Sequence, residues 1–142
     1  MGCDIHAHIE VKVSGEWHHW MALNIPRNYS LFARLAGVRT DKPGDQQYPL
    51  RGIPDNMSLL TNMDYNRGFG DWHHLSWITG KELSDVQDWY EREARIRDPE
   101  ADLCYVFSVF GYLFGNGYDV KRYPEDYPST VEDVRMVFWF DN

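Results

Sequence analysis

Residues 3 to 13 alternate strictly, with Cys3, Ile5, Ala7, Ile9, Val11 and Val13 on one side and Asp4, His6, His8, Glu10 and Lys12 on the other. Successive strand side chains point to opposite faces, so this pattern predicts a strand with one buried apolar face. Ser14-Gly15 suits a two-residue hairpin turn, and "EWHHWMAL" from Glu16 to Leu23 reads as the returning strand. With Val13 opposite Glu16, the register sets Lys12 against Trp17, Glu10 against His19 and His8 against Met21. Trp17 and His19 then join the polar face.

"RNYSLFARLAGVR" predicts a short helix, capped by Asn28 or Ser30, with Leu31, Phe32 and Leu35 inward and Gly37 as its stop. Residues 40 to 56 are rich in Pro, Gly and Asp and read as a long irregular loop. "DNMSLLTNMDYN" suggests a short helix begun by Asp55, and "RGFGDWHHLSW" beyond it reads as irregular and aromatic. Thr79 and Glu82 make a capping box ahead of helically spaced Leu83, Val86, Trp89, Tyr90 and Ile96. Asp98-Pro99 opens another apolar helix, ended by the "GNG" at 115 to 117. Finally "DVRMVFWFD" alternates Val134, Met136, Phe138 and Phe140 against Arg135, Val137, Trp139 and Asp141. No repeat or linker divides the chain. The expectation is one domain, 1–142, of α+β class: a small antiparallel sheet, made of the N-terminal hairpin and the C-terminal strand, packed against two or three helices.

Composition narrows the function classes. A chain of 142 residues is too short for a closed (β/α)8 barrel. Its net charge of -8 opposes binding of a nucleic acid polymer, which rests on a basic face. A small anion held by a few local arginines stays compatible with it. The two cysteines, Cys3 and Cys104, form no CxxC pair, as expected in a reducing cytoplasm. The chain opens on no secretory leader, His6 replaces the hydroxyl residue of a myristoylation motif, and the longest apolar run is shorter than a membrane span. A cytoplasmic protein without a membrane partner is expected.

The polar strand face carries the chemistry. Asp4, His6, His8, Glu10 and His19 would project together, with i and i+2 side chains about 7 Å apart, near enough to converge on one ion. In a metal-dependent hydrolase reading, Asp4, His6 and the loop residue His73 are ligands of a divalent metal, while Glu10 is the general base and His6 its companion in catalysis. The plain alternative is the wet side of a one-sided sheet. Cys3 falls on the apolar face and reads as a small hydrophobe. Arg27, Arg34 and Arg39 flank one helix beside Tyr29, and with rings such as Trp72, Trp77 and Trp139 they match the equipment that grips a phosphate while stacking a base. No Walker loop, GxGxxG turn, GxSxG elbow or HExxH helix is present.

Taken together, "GCDIH" with Glu10, "RNY" at 27 to 29, Leu31-Phe32, "LAGVR" at 35 to 39, His73 with Ser76, Trp77 and Thr79, and "VFWFDN" at the end resemble a family of small bacteriophage and bacterial proteins of unassigned role. That resemblance implies no reaction; it shifts weight toward Asp4, His6, Glu10 and His73 and suggests, by analogy, a setting in the host cytoplasm, where small acidic phage proteins commonly act on host defence, one way being to bind or destroy nucleotide-derived signals. The first expectation is therefore a homo-oligomer that sequesters a nucleotide-like anion through Arg27, Asn28, Tyr29, Arg39, Ser76, Trp77 and Trp139, without any required cofactor. The alternatives are the metal-dependent phosphoesterase above, and a scaffold or inhibitor of a host protein.

Overall fold

The computed structural model describes residues 2–68, 71–94 and 133–142. Strands β1 (Ile5–Val13), β2 (Glu16–Leu23), β3 (His73–Thr79) and β4 (Asp133–Phe140) form one antiparallel sheet in the order β2-β1-β4-β3. With helices α1 (Tyr29–Ala36), α2 (Leu59–Asn66) and α3 (Gly80–Trp89), the fold is α+β, as its patterning predicts. No described helix is long and apolar enough to cross a membrane.

The apolar face of the sheet does what alternation demands of it. Ile5, Ala7, Ile9 and Val11 of β1 and Val134, Met136, Phe138 and Phe140 of β4 join Leu31, Phe32 and Leu35 of α1 and Leu83 and Val86 of α3 in one buried cluster. Each large side chain removed from water there contributes roughly 1.5–3 kcal/mol. Asn28 is the cap of α1, its Oδ1 accepting from the Leu31 N–H at 3.0 Å, and Gly37 ends the helix at φ 71°. The capping box of α3 is complete: Thr79 Oγ1 accepts from the Glu82 N–H at 3.2 Å, and Glu82 Oε1 accepts from the Thr79 N–H at 3.0 Å. Residues 90–94 continue α3 as a π-helical turn. The helix expected after Asp98 lies outside the described residues.

Three expectations need correction. The segment read as irregular after Arg67 contains β3, an edge strand whose alternation is broken by a bulge between His73 and Ser76, with His74 at φ 50°. The loop before α2 covers that edge, the Arg51 N–H donating to Ser76 Oγ and the Gly52 N–H to the Leu75 carbonyl, both at 3.0 Å. Helix α2 starts after Ser58, while Asp55 sits in the preceding turn. In the hairpin, Glu10↔His19 and Lys12↔Trp17 pair as expected, but a bulge at Trp20 moves Met21 opposite Ile9 and Ala22 opposite His8.

Candidate functional site

The second face of the sheet is polar, and at its centre His8, Glu10 and Arg135 are buried. Glu10 and Arg135 are cross-strand partners on β1 and β4, with side chains 0% and 5% exposed. Glu10 Oε1 accepts from Arg135 Nε at 2.9 Å and pairs with its Nη2 at 2.7 Å; Oε2 accepts from the Ser58 N–H at 2.7 Å and from Thr61 Oγ1 at 2.8 Å. Burial pushes this carboxyl upward, but the donors from Ser58, Arg135 and Thr61 outweigh it and hold it below the usual range. Arg135 also donates to Asn56 Oδ1 at 2.9 Å and lies 4.0 Å from the Trp17 ring centre. With both oxygens committed to four donors, Glu10 is built as a counter-ion that seats α2 on the sheet, and neither oxygen is left to take a proton from a substrate.

His8, on the same face, is held at both ring nitrogens. Its Nε2 lies 2.7 Å from Asp64 Oδ2 on α2, and its Nδ1 lies 3.0 Å from His19 Nε2 on β2. If His8 donates from Nε2 and His19 from its own Nε2, every contact in the chain has one proton. Asp64 is further paired with Arg67. Burial raises the Asp64 carboxyl, yet the bonds from Arg67 and His8 bring it below its ordinary value; His19 is lowered by burial and then by neighbouring His8. The His8 ring stacks on Trp139 at 5.3 Å, and Tyr65 and Trp72 crowd the same indole. Trp139 is fully buried, and its Nε1–H has no acceptor among the described residues.

Toward the chain ends lies a corner where several expected residues do meet. Arg27 makes a bidentate pair with Asp4 at 2.6 and 2.9 Å, which holds the Asp4 carboxyl low and the guanidinium charged. The Asp4 N–H donates to Asp141 Oδ1 at 3.0 Å, His6 Nε2 meets Asp141 Oδ2 at 3.0 Å, and His73 Nε2 meets the Asp141 carbonyl at 3.1 Å. Arg39 lies 5.7 Å from the ring centre of Tyr29, whose hydroxyl accepts from the Cys3 N–H at 3.4 Å. Burial raises the Cys3 thiol against the pull of Arg39, consistent with an inert side chain. Asp4, His6 and His73 thus face Arg27, Asp141 and a backbone carbonyl respectively, and no group of three or more His, Cys, Asp or Glu among the described residues is arranged to hold a metal ion.

The other end of the polar face opens into a cleft of about 550 Å3. Trp17 of β2 and Trp77 of β3 line it with Asp55, Asn56, Thr79 and Asp133. Arg51 backs Trp77, 4.9 Å from its ring centre, while gripping both oxygens of Glu82 at 2.7 and 2.5 Å. Of the residues expected to share one pocket, Arg27, Asn28, Tyr29 and Arg39 gather at the α1 corner, Trp77 lines the cleft, Ser76 is buried under the Arg51 backbone, and Trp139 is inside the α2 layer. Asp55, Asn56 and Asp133 carry no periodic signal, and only the folded register reveals them. Trp17 was legible from the hairpin register. No family model, curated protein or solved structure matches the chain.

Proposed function

We propose that the protein binds a small flat-ringed molecule of nucleoside type in the cleft between Trp17 and Trp77. The observation that carries this reading is that two indoles from non-adjacent strands line one cleft together with hydrogen-bonding Asp55, Asn56, Thr79 and Asp133. Indoles stack any base, at roughly 1–3 kcal/mol per base, and the carboxylates and amide accept from ribose hydroxyls or exocyclic amines. The phosphate-gripping part of the expectation has less support at this place. Arg135, the one cation among the described residues that line the cleft, is neutralised by Glu10, and Asp55 and Asp133 repel an anion. The preferred ligand is therefore neutral or cationic at the part that enters, and a nucleotide-derived signal would bind by its base and sugar.

Titration calorimetry with a panel of nucleosides and their mono-, di- and cyclic phosphates tests this. Binding that is as tight for a nucleoside as for its phosphates, and that Trp17→Ala or Trp77→Ala weakens at least tenfold, about 1.4 kcal/mol, is the expected result. A panel that binds nowhere overturns the reading. Strict dependence on phosphate, lost in Arg39→Ala and kept in Trp77→Ala, moves the site to the α1 corner. Chromatography of the recovered ligand reports turnover, the mark of the phosphoesterase alternative.

A further inference from the structure

The polar groups around the Trp17–Trp77 cleft are unequal in what they have left to offer. Each indole is already backed on one face by a guanidinium, Arg135 lying 4.0 Å from the ring centre of Trp17 and Arg51 4.9 Å from that of Trp77. Glu10 and Glu82 hold those guanidiniums in place, so a base has one face of each ring to stack on, and the rings are set before it arrives. Asp55 and Asn56 are consecutive residues of one turn in the cleft wall. Asn56 Oδ1 accepts from Arg135 Nη1 at 2.9 Å, and the Asn56 carbonyl accepts from Nη2 at 3.2 Å. This engages the oxygen side of the amide and leaves its two N–H donors without an acceptor among the described residues. The Asp55 carboxylate makes no hydrogen bond or ion pair among the described residues. Asp133 is less available, because its Oδ1 accepts from the Val134 N–H at 2.8 Å.

We infer, resting on the base-binding reading above, that the cleft selects guanine, with Asp55 accepting from the ring N1–H and the exocyclic N2–H and Asn56 donating to O6. A pair of acceptors beside a donor is the complement of that one edge. Bases that stack on aromatic rings are told apart by the hydrogen bonds along their Watson–Crick edges. Of the four common bases, guanine alone brings two adjacent N–H donors, which match the two oxygens of one carboxylate. Adenine and cytosine each set an N–H beside a ring-nitrogen lone pair, and the second carboxylate oxygen repels that lone pair. Uracil offers a single N–H between two carbonyls, with the same conflict on either side. Discrimination therefore comes as much from repulsion of the wrong bases as from attraction of the right one. Asp133, with one oxygen remaining, is left to the ribose hydroxyls.

Titration calorimetry of the full chain with guanosine, inosine, adenosine, cytidine and uridine is the test. Guanosine should bind about tenfold tighter than adenosine, toward the low end for a bidentate base contact because Asp55 is exposed. Inosine, which keeps N1–H and lacks the exocyclic amine, should fall between them. Asp55→Asn replaces two acceptors with an acceptor and a donor, the complement of the adenine edge. It should weaken guanosine about tenfold and raise adenosine above it, whereas Asp133→Asn should leave the preference for guanosine in place. Failure of all five nucleosides to bind overturns the base-binding reading and this inference together. Binding without preference among the bases, inosine as tight as guanosine, or a guanosine preference that survives Asp55→Asn overturns the inference alone and leaves the cleft as a base site of another specificity. Loss of the preference in Asp133→Asn overturns the assignment to Asp55 in the same way.

Discussion

Ile9 and Glu10 are neighbours in β1 and both are fully buried, yet different physics holds each in place. Ile9 enters a face where Met136, Phe138, Leu31 and Val86 ask only for volume. Glu10 enters a face where every buried atom needs a named partner, and it has Arg135, Ser58 and Thr61. A packed face tolerates exchange of shape, whereas a paired face fails when one member is lost and recovers when the pair is replaced as a unit. The comparison teaches that in this sheet "buried" and "apolar" are separate properties.

The largest effects come from testing that distinction directly. Glu10→Ala is expected to cost about 3–5 kcal/mol, because Arg135 is left charged, buried and unpaired. Ile9→Ala is expected to cost about 2–5 kcal/mol through the cavity it leaves. The two are similar in size and different in remedy. Glu10→Leu with Arg135→Met should return the part of the loss in urea unfolding that comes from the stranded guanidinium, with the Ser58 N–H still lacking its acceptor, while no single partner change restores Ile9→Ala. Should the double variant remain as unstable as Glu10→Ala, the ion pair is not the element that seats α2, and the contrast between the faces fails.

This contrast also explains how far the sequence could be read. Period-two alternation in residues 3 to 13 and 133 to 141 identified two faces and the apolar one correctly, and the "SG" turn set the hairpin register as far as Glu10. Alternation cannot say whether a polar face meets water or another polar surface. The helix that covers it, α2, turns Thr61 and Asp64 inward and Leu60 outward, so its own pattern points the wrong way. Strand β3 was hidden for a related reason: the bulge at His74 and Leu75 breaks the alternation by which it would be found. The cleft was half legible. Trp17 is visible as a ring on a predicted strand and Trp77 as a ring in a segment that reads as irregular, but Asp55 and Asn56 reach the cleft from an irregular loop and Asp133 from the start of a strand far along the chain.

A smaller effect separates the faces by pH. His19 is held below the ordinary imidazole value by burial and by His8, so on acidification the unfolded chain takes up the proton first. Its contribution is present above about pH 6.5 and is lost as pH falls through that value. His74, lowered by burial and by His73, acts in the same direction. The groups facing the His8–His19 pair are Asp64 from α2 and Glu10 from β1, with Arg67 behind Asp64. Both carboxyls are lowered, so their contribution persists above the unfolded carboxylate range and is lost only at lower pH, through their folded values. Thermal melts should therefore fall in two stages, near pH 6 and then below about pH 4. His19→Gln should shrink the first stage to the part that His74 supplies, whereas Ile9→Ala should lower the whole curve and leave its shape unchanged. An unflattened His19→Gln profile would show that the imidazole chain does not link α2 to the sheet.

The smallest effect sets the scale for the others, because it comes from a helix cap and not from the packing or pairing of either face. Thr79 ends β3 and caps α3, and its hydroxyl accepts one backbone N–H from Glu82. Losing such a cap costs about 1 kcal/mol, so Thr79→Ala should lower stability by that amount and Thr79→Ser should keep it. The hydroxyl is uncharged, so the loss should be equal at neutral and mildly acidic pH. Glu82 in the same box behaves differently. Its bonds to Arg51, with burial opposing and Thr79 assisting, bring its carboxyl down to about 2, so that half of the box survives acidification. A Thr79→Ala loss approaching that of Glu10→Ala would mean that the start of α3 depends on more than its local cap. It would also mean that the polar face has no privileged share in holding the fold.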